Sequence, residues 1–317
     1  MAEGSEGVPQ GGEIHRKLIA AMTDISGVHE GRRAVHAKGL WAAGTFTGTP
    51  EGAALCAIPH LAGGPVPALI RFSKASGRPD AHDASRDGGG MAVKLRPEGA
   101  EEWDIVATGP PVFVARTVED FLEFLRLRKP DPETGRPDME ALGEFLGRHP
   151  EAQLSIQSAL GAEPPASFMT VPYFSPHAFA LVAGDGARTW VRWHWRPAAG
   201  EKRLPDDEAR SLGRDYLRDE LVTRLADGPA EMELIFQVRG EQDSLTDPTE
   251  LWPEERESVT AGRLEVSAVV HDPEGDGHIE VFDPMRLPPG IEPSDDPILH
   301  ARPRAYSVSA YRRLGQT

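Results

Sequence analysis

Residues 300–315 read HARPRAYSVSAYRRLG, which sets Tyr306 between Arg302 and Arg313 at intervals of four and seven residues. On a helix these intervals place all three side chains on one face. A phenol flanked by two guanidiniums is favoured as its anion, because the anion gains positive charge and charge-assisted hydrogen bonds. A tyrosinate is a hard ligand for ferric iron, so Tyr306 is a candidate metal ligand. Taken alone, the pattern also fits a surface tyrosine on an exposed helix. The rest of the chain decides between the two.

The chain has 317 residues, enough for one large domain or two ordinary ones. Hydrophobic residues make up 39% and charged residues 26%, the balance of a soluble globular protein. A formal charge of −16 argues against nucleic acid and anionic membrane as partners. A single cysteine, Cys56, excludes an intrachain disulfide and a cysteine metal cluster. No apolar run reaches membrane-spanning length. The opening MAEGSEGVPQGGE has neither the basic nor the apolar region of a secretion signal, so a cytoplasmic location is expected.

Along the chain, residues 1–15 read as a flexible polar tail and 16–317 as a single domain. Helix is expected around Lys17–Met22, then strand and turn from Arg33 to Leu61. Apolar runs at Ala68–Phe72, Met91–Leu95 and Trp103–Val106 read as strands. The period changes at Thr117, where early acidic residues start a helix, and helical character runs on, with breaks, through Met139–Leu160. Strand signals return at Phe179–Val182, Thr189–Trp195, Glu233–Val238 and Arg263–Val270, interrupted by a helix over 205–227. Strands, then helices, then strands, then a last helix give an α+β class with an antiparallel sheet or barrel.

A second group of residues lies near the start. In GRRAVHAKGLWAAGTF, His36 follows Val35 in a strand-like pattern, with Arg33 three residues earlier and glycines at 39 and 44. In a strand Arg33 and His36 would point to opposite faces unless a bend intervenes. The next strand carries Arg71 and Ser73 where a core strand should be apolar. Buried arginine demands carboxylates, and carboxylates from outside the chain would satisfy Arg33 and Arg71. Ser73 can hold one ring nitrogen of His36 and fix its tautomer.

Four segments together resemble the catalase family, and within it the short catalase-related haem peroxidases: RRAVHAKG; RFSKASG with SRDGGGMAVK; WDIVATGPPVFVAR with EDFLEFL; and ARPRAYSVSAYRRLG. The stretches VRWHW, DPTELWPEE, GRLEV and PGIEPSDDPIL match in the same order. The resemblance runs from about Arg33 to Gly315 and implies a catalase-like antiparallel β-barrel with surrounding helices, holding haem b. It implies Tyr306 as the iron ligand, Arg302 on the phenolate oxygen, and His194 with Asp296 behind that arginine. It implies His36 as the distal histidine with Ser73 as its partner. Arg33, Arg71 and Arg313 would bind haem propionates, and Phe121 would pack on the porphyrin. Asp87, Phe113 and Phe124 would line the channel or pocket.

Departures from the family pattern matter as much. Thr108 stands where the resemblance implies a catalytic asparagine, and Gly109 follows it. Met91 and Val114 replace aromatic residues. The arm and C-terminal helical domain that build catalase tetramers have no counterpart, so a monomer or small homo-oligomer is expected. A hydroxyl reaches less far than an amide, so a second hydrogen peroxide should be held poorly. The expected activity is a peroxidase using hydrogen peroxide or organic hydroperoxides with a small electron donor, serving an oxidative stress response. A small true catalase, a fatty-acid hydroperoxide isomerase and a non-catalytic haem-binding protein remain open. No His-Glu-x-x-His, EF-hand or Cys-x-x-Cys pattern points to another metal, and DGGGMAV lacks the lysine of a phosphate loop. His15, His60, His149 and His271 read as structural or surface residues.

Overall fold

The computed structural model of the chain describes residues 12–62, 64–274 and 278–315. Among these, ten strands form one antiparallel sheet: β1 Gly39–Gly48, β2 Val66–Ser73, β3 Gly90–Leu95, β4 Trp103–Thr108, β5 Tyr173–Phe174, β6 Phe179–Val182, β7 Arg188–Pro197, β8 Ala230–Val238, β9 Ser258–Val269 and β10 Ile291–Pro293. The neighbour order β7-β5-β4-β3-β2-β1-β9-β8 closes through a β7–β8 pairing into an eight-stranded barrel, and β6 and β10 extend from β7. Closure leaves these strands no open edge, which removes a route to aggregation.

The helices are α1 Glu13–Ser26, α2 Pro50–Leu55, α3 Pro59–Ala62, α4 Val118–Leu127, α5 Met139–Arg148, α6 Ala152–Gly161, α7 Asp206–Ser211, α8 Tyr216–Asp227 and α9 Pro297–Arg313. The broken helical stretch expected through Met139–Leu160 has its break at Pro150, whereas the helix expected over 205–227 is split near Gly213. Proline and glycine end helices there for the usual reasons of a missing donor and a floppy backbone. The tail expected over 1–15 ends sooner, because Glu13–His15 already belong to α1 with His15 buried; residues 1–11 lie outside the described residues.

The main core is aromatic and aliphatic. Trp193 stacks on Phe179 at 3.9 Å and meets Trp103 edge-on at 5.6 Å, while Phe72 stacks on Phe168 at 5.1 Å. On β7, Val191, Trp193 and Trp195 are buried at period two, as a strand with one face inward requires. A smaller apolar cluster joins α4, α5 and α6 through Phe124 and Phe145, and another joins α1 to α4 through Leu18, Leu122 and Leu125.

One buried ionic knot ties the barrel to the stretch before β10. Lys94 and Asp104 are fully buried on adjacent strands, with Nζ 2.7 Å from Oδ1. Asp104 Oδ2 accepts from the Asp283 amide at 2.8 Å and from Arg286 Nη1 at 2.5 Å. Burial pushes the Asp104 carboxyl up, opposed by Lys94 and Arg286. Removing one partner of such a knot strands the other as an unpaired buried charge. Asp104→Ala should therefore lose about 3–5 kcal/mol in denaturant unfolding. A loss below about 1 kcal/mol, the range of an exposed pair, would show that the knot does not fasten this stretch.

Candidate active site

The proximal half is a chain of hydrogen bonds built on α9. Asp296 caps the helix, its Oδ1 accepting from the Ile298 amide at 2.8 Å. Its other oxygen, Oδ2, lies 2.6 Å from His177 Nδ1. His177 Nε2 lies 2.9 Å from Arg302 Nη1. Arg302 then donates to the Tyr306 phenolic oxygen from Nε at 3.1 Å and Nη2 at 2.6 Å. A guanidinium has no acceptor, so His177 Nε2 must accept and Nδ1–H must face Asp296. That makes His177 a neutral imidazole. Its burial pushes its pKa down, against the pull of Asp296. The helical spacing of four carries Tyr306 directly over Arg302.

His177, not His194, therefore stands behind Arg302, which corrects the expectation from sequence. His194 instead lies against Phe174, the ring centres 5.4 Å apart and the planes tilted by 31°. Strand register explains why. Gly39, Ser73, Gly90, Thr108, Phe174 and His194 pair in turn across β1, β2, β3, β4, β5 and β7. His194 thus belongs to the same row as Ser73 and Thr108. Its pKa is pushed down to about 4 by burial and by Arg196.

The distal half sits on that row. His36 is not in a strand, since β1 begins at Gly39. It is the one non-glycine residue with positive φ, 56°, among the described residues. This left-handed conformation costs on the order of 1–2 kcal/mol. Two hydrogen bonds hold it: the His36 amide donates to the Ala75 carbonyl at 3.1 Å, and Arg71 Nη2 donates to the His36 carbonyl at 2.8 Å. The bend turns the ring onto Ser73, with Nδ1 3.0 Å from Oγ. Ser73 Oγ also faces the Gly90 carbonyl at 3.4 Å. With the serine proton directed there, Nδ1 carries the imidazole proton and Nε2 keeps its lone pair. A Cβ at Gly90 would come within 2.9 Å of the His36 ring, so glycine is required for this approach. Burial, and then Arg71, push the His36 pKa down to about 4.

Thr108 is half-buried, and its hydroxyl donates to the Pro110 carbonyl at 3.2 Å. Asp87 pairs with Lys74 at 3.0 Å and accepts from the Ser76 amide at 3.1 Å. A cavity bordered by Ser73, Asp87, Gly89, Gly109, Phe168 and Tyr173 lies against this side of the row. Phe113 and Phe121 meet edge-on at 4.8 Å and are both half-buried. Phe124 packs instead on Phe145 at 5.8 Å and under Arg128, inside the α4–α6 cluster. Arg33 and Arg313 converge on Glu274, a carboxylate that sequence reasoning did not single out.

The residues fit a haem. Among the described residues, Arg71 Nε and Arg313 Nε are buried with no hydrogen-bond partner. Among the same residues, Arg33 and Arg313 share the carboxylate of Glu274 and Arg71 is bonded to none, as expected where anionic groups belong. A neutral phenol that accepts two hydrogen bonds has spent both lone pairs, whereas a phenolate keeps a third for a metal. No group of three or more His, Cys, Asp or Glu among the described residues could hold a metal otherwise, and no described helix is long and apolar enough to cross a membrane.

Comparison with known proteins agrees with this arrangement. A family profile described as Catalase matches residues 18–317. A catalase-related peroxidase of Mycolicibacterium paratuberculosis is 39% identical, over 96% of this chain and 96% of its own length. A catalase-related peroxidase of Synechococcus elongatus is 31% identical, over 94% of this chain and 88% of its own. A Helicobacter pylori catalase is 30% identical over 89% of this chain, which spans 59% of that longer protein. With a family profile matching nearly its whole length and relatives similar end to end, the chain belongs to the catalase family.

Proposed function

We propose that the chain is a haem b peroxidase that reduces hydrogen peroxide and organic hydroperoxides with electrons from a small donor, and dismutates hydrogen peroxide only weakly. The observation that carries this reading is the pair of hydrogen bonds from Arg302 to the Tyr306 oxygen, which suits a phenolate ligand. Two relatives named catalase-related peroxidase, similar over most of their length, support it. Arg33, Arg71 and Arg313 are assigned to the propionates, and Phe113 and Phe121 to the wall of the haem pocket. Asp87 is assigned to the substrate path. Phe124 is assigned to packing. When bound, the haem iron supplies the redox chemistry that cleaves the peroxide O–O bond.

The protein's own work is proton transfer and placement. His36 is neutral above about pH 4, so Nε2 is free to take the hydroperoxide proton and return it to the departing oxygen. Ser73 holds the tautomer that makes this possible. Thr108 offers no spare donor, because its hydroxyl proton is directed at Pro110. A second hydrogen peroxide is then poorly held, which favours peroxidase turnover over dismutation. Hemin-loaded protein should oxidise a chromogenic donor with hydrogen peroxide and with cumene hydroperoxide, and release little oxygen when the donor is left out. Vigorous donor-free oxygen release would reject the reading in favour of a true catalase.

His36→Ala should slow the reaction with peroxide by about a hundred- to ten-thousand-fold while hemin stays bound, as seen by stopped-flow and by the Soret band. Protonation blocks the base, so the wild-type rate should be level from neutral pH to about pH 5 and fall as pH drops through about 4. A midpoint near the ordinary histidine value would contradict the assignment. Thr108→Asn should restore an amide donor and raise donor-free oxygen release by at least about tenfold, measured with an oxygen electrode. No change would place the limit on dismutation elsewhere.

A further inference from the structure

Arg33, Arg71 and Arg313 come from distant parts of the chain and gather around Glu274. Its Oε2 accepts from Arg33 Nη1 at 2.7 Å, and its Oε1 accepts from Arg33 Nη2 at 2.8 Å and Arg313 Nη1 at 2.6 Å. Oε1 also accepts from the Glu280 amide at 3.0 Å. Among the described residues, the hydrogen bond of Arg71 is the one from Nη2 to the neutral His36 carbonyl, and its Nε is buried without a hydrogen-bond partner. The guanidiniums of Arg33 and Arg71 each lie 5.6 Å from the centre of the Trp41 ring. Asp272 acts on Arg71 and Arg313 only through space. Among the described residues, three cations stand against one bonded carboxylate, which leaves positive charge in excess in a mostly buried place.

We infer that Glu274 is an internal competitor for the carboxylates of the haem, an inference that rests on the haem reading given above. Its two oxygens fill the Nη1–Nη2 edge of Arg33, the planar edge that a propionate would engage with two parallel bonds. A propionate takes that edge only by displacing Glu274. The apparent affinity for haem is then lowered by the fraction of molecules in which Glu274 holds the edge. In return, Glu274 orients Arg33 and Arg313 in the haem-free protein and offsets part of their buried charge. A competitor has a signature that a merely structural residue lacks. Its removal weakens the empty protein and strengthens ligand binding.

Glu274→Gln keeps the side-chain volume and removes the charge. The haem-free variant should melt several degrees below haem-free wild type. It should bind hemin about tenfold more tightly, read by quenching of tryptophan fluorescence. Hemin dimethyl ester has neutral side chains and should bind to variant and wild type alike. Glu274→Asp reaches less far and should tighten hemin binding to a lesser degree, which provides the test should the glutamine variant fold poorly. Equal or weaker hemin binding by the folded variants would overturn the inference, as would an equal gain for the ester. Wild-type protein that takes up no hemin would instead overturn the haem reading itself.

Discussion

A phenolic oxygen held by one guanidinium is the constraint on which the rest depends. Arg302 presents two N–H groups to Tyr306, and it can do so only in one orientation. His177 fixes that orientation by accepting a third N–H, and Asp296 fixes His177 in turn. Asp296 is also the cap of α9, the helix that carries both Arg302 and Tyr306. The capping bond that starts the helix and the bond that orients His177 thus share one carboxylate. His177 and Asp296 are buried, where an unmade hydrogen bond is costly, so the relay has little freedom to rearrange.

The barrel serves the other half of the site through register. Pairing brings Ser73, Gly90 and Thr108 into one row at the ends of β2, β3 and β4. Ser73 binds the His36 ring, Gly90 makes room for it, and Thr108 stands at the position proposed to separate peroxidase from catalase behaviour. A one-residue slip of β3 that set Met91 in place of Gly90 would put a side chain against the His36 ring and close the space. The strained backbone at His36 is held by Ala75 and Arg71, so the residue proposed as general base is aimed by the same arginine that is proposed for a propionate.

Much of this was legible in the sequence because its signals are local. The spacing of Arg302 and Tyr306 is a helical one, and the polar Arg71 and Ser73 stand out inside an apolar strand. The barrel was legible as a succession of short apolar runs, whose closure rests on the resemblance and on the β7–β8 pairing. What was missed is long-range. His177 lies in the link between β5 and β6, with no periodic pattern to mark it, and meets Arg302 across 125 positions. His194, in the matching VRWHW stretch, drew the assignment instead. Glu274 meets Arg33 across 241 positions, and nothing near it in sequence announces a partner. The bend at His36 was equally hidden, since a left-handed histidine has no sequence mark of the kind glycine gives.

Resonance Raman spectroscopy of hemin-loaded wild type and Tyr306→Phe tests the central claim most directly. Iron-bound phenolate vibrations should appear in the wild type and vanish in the variant. Their absence from the wild type, or their persistence in the variant, would show that another group holds the iron.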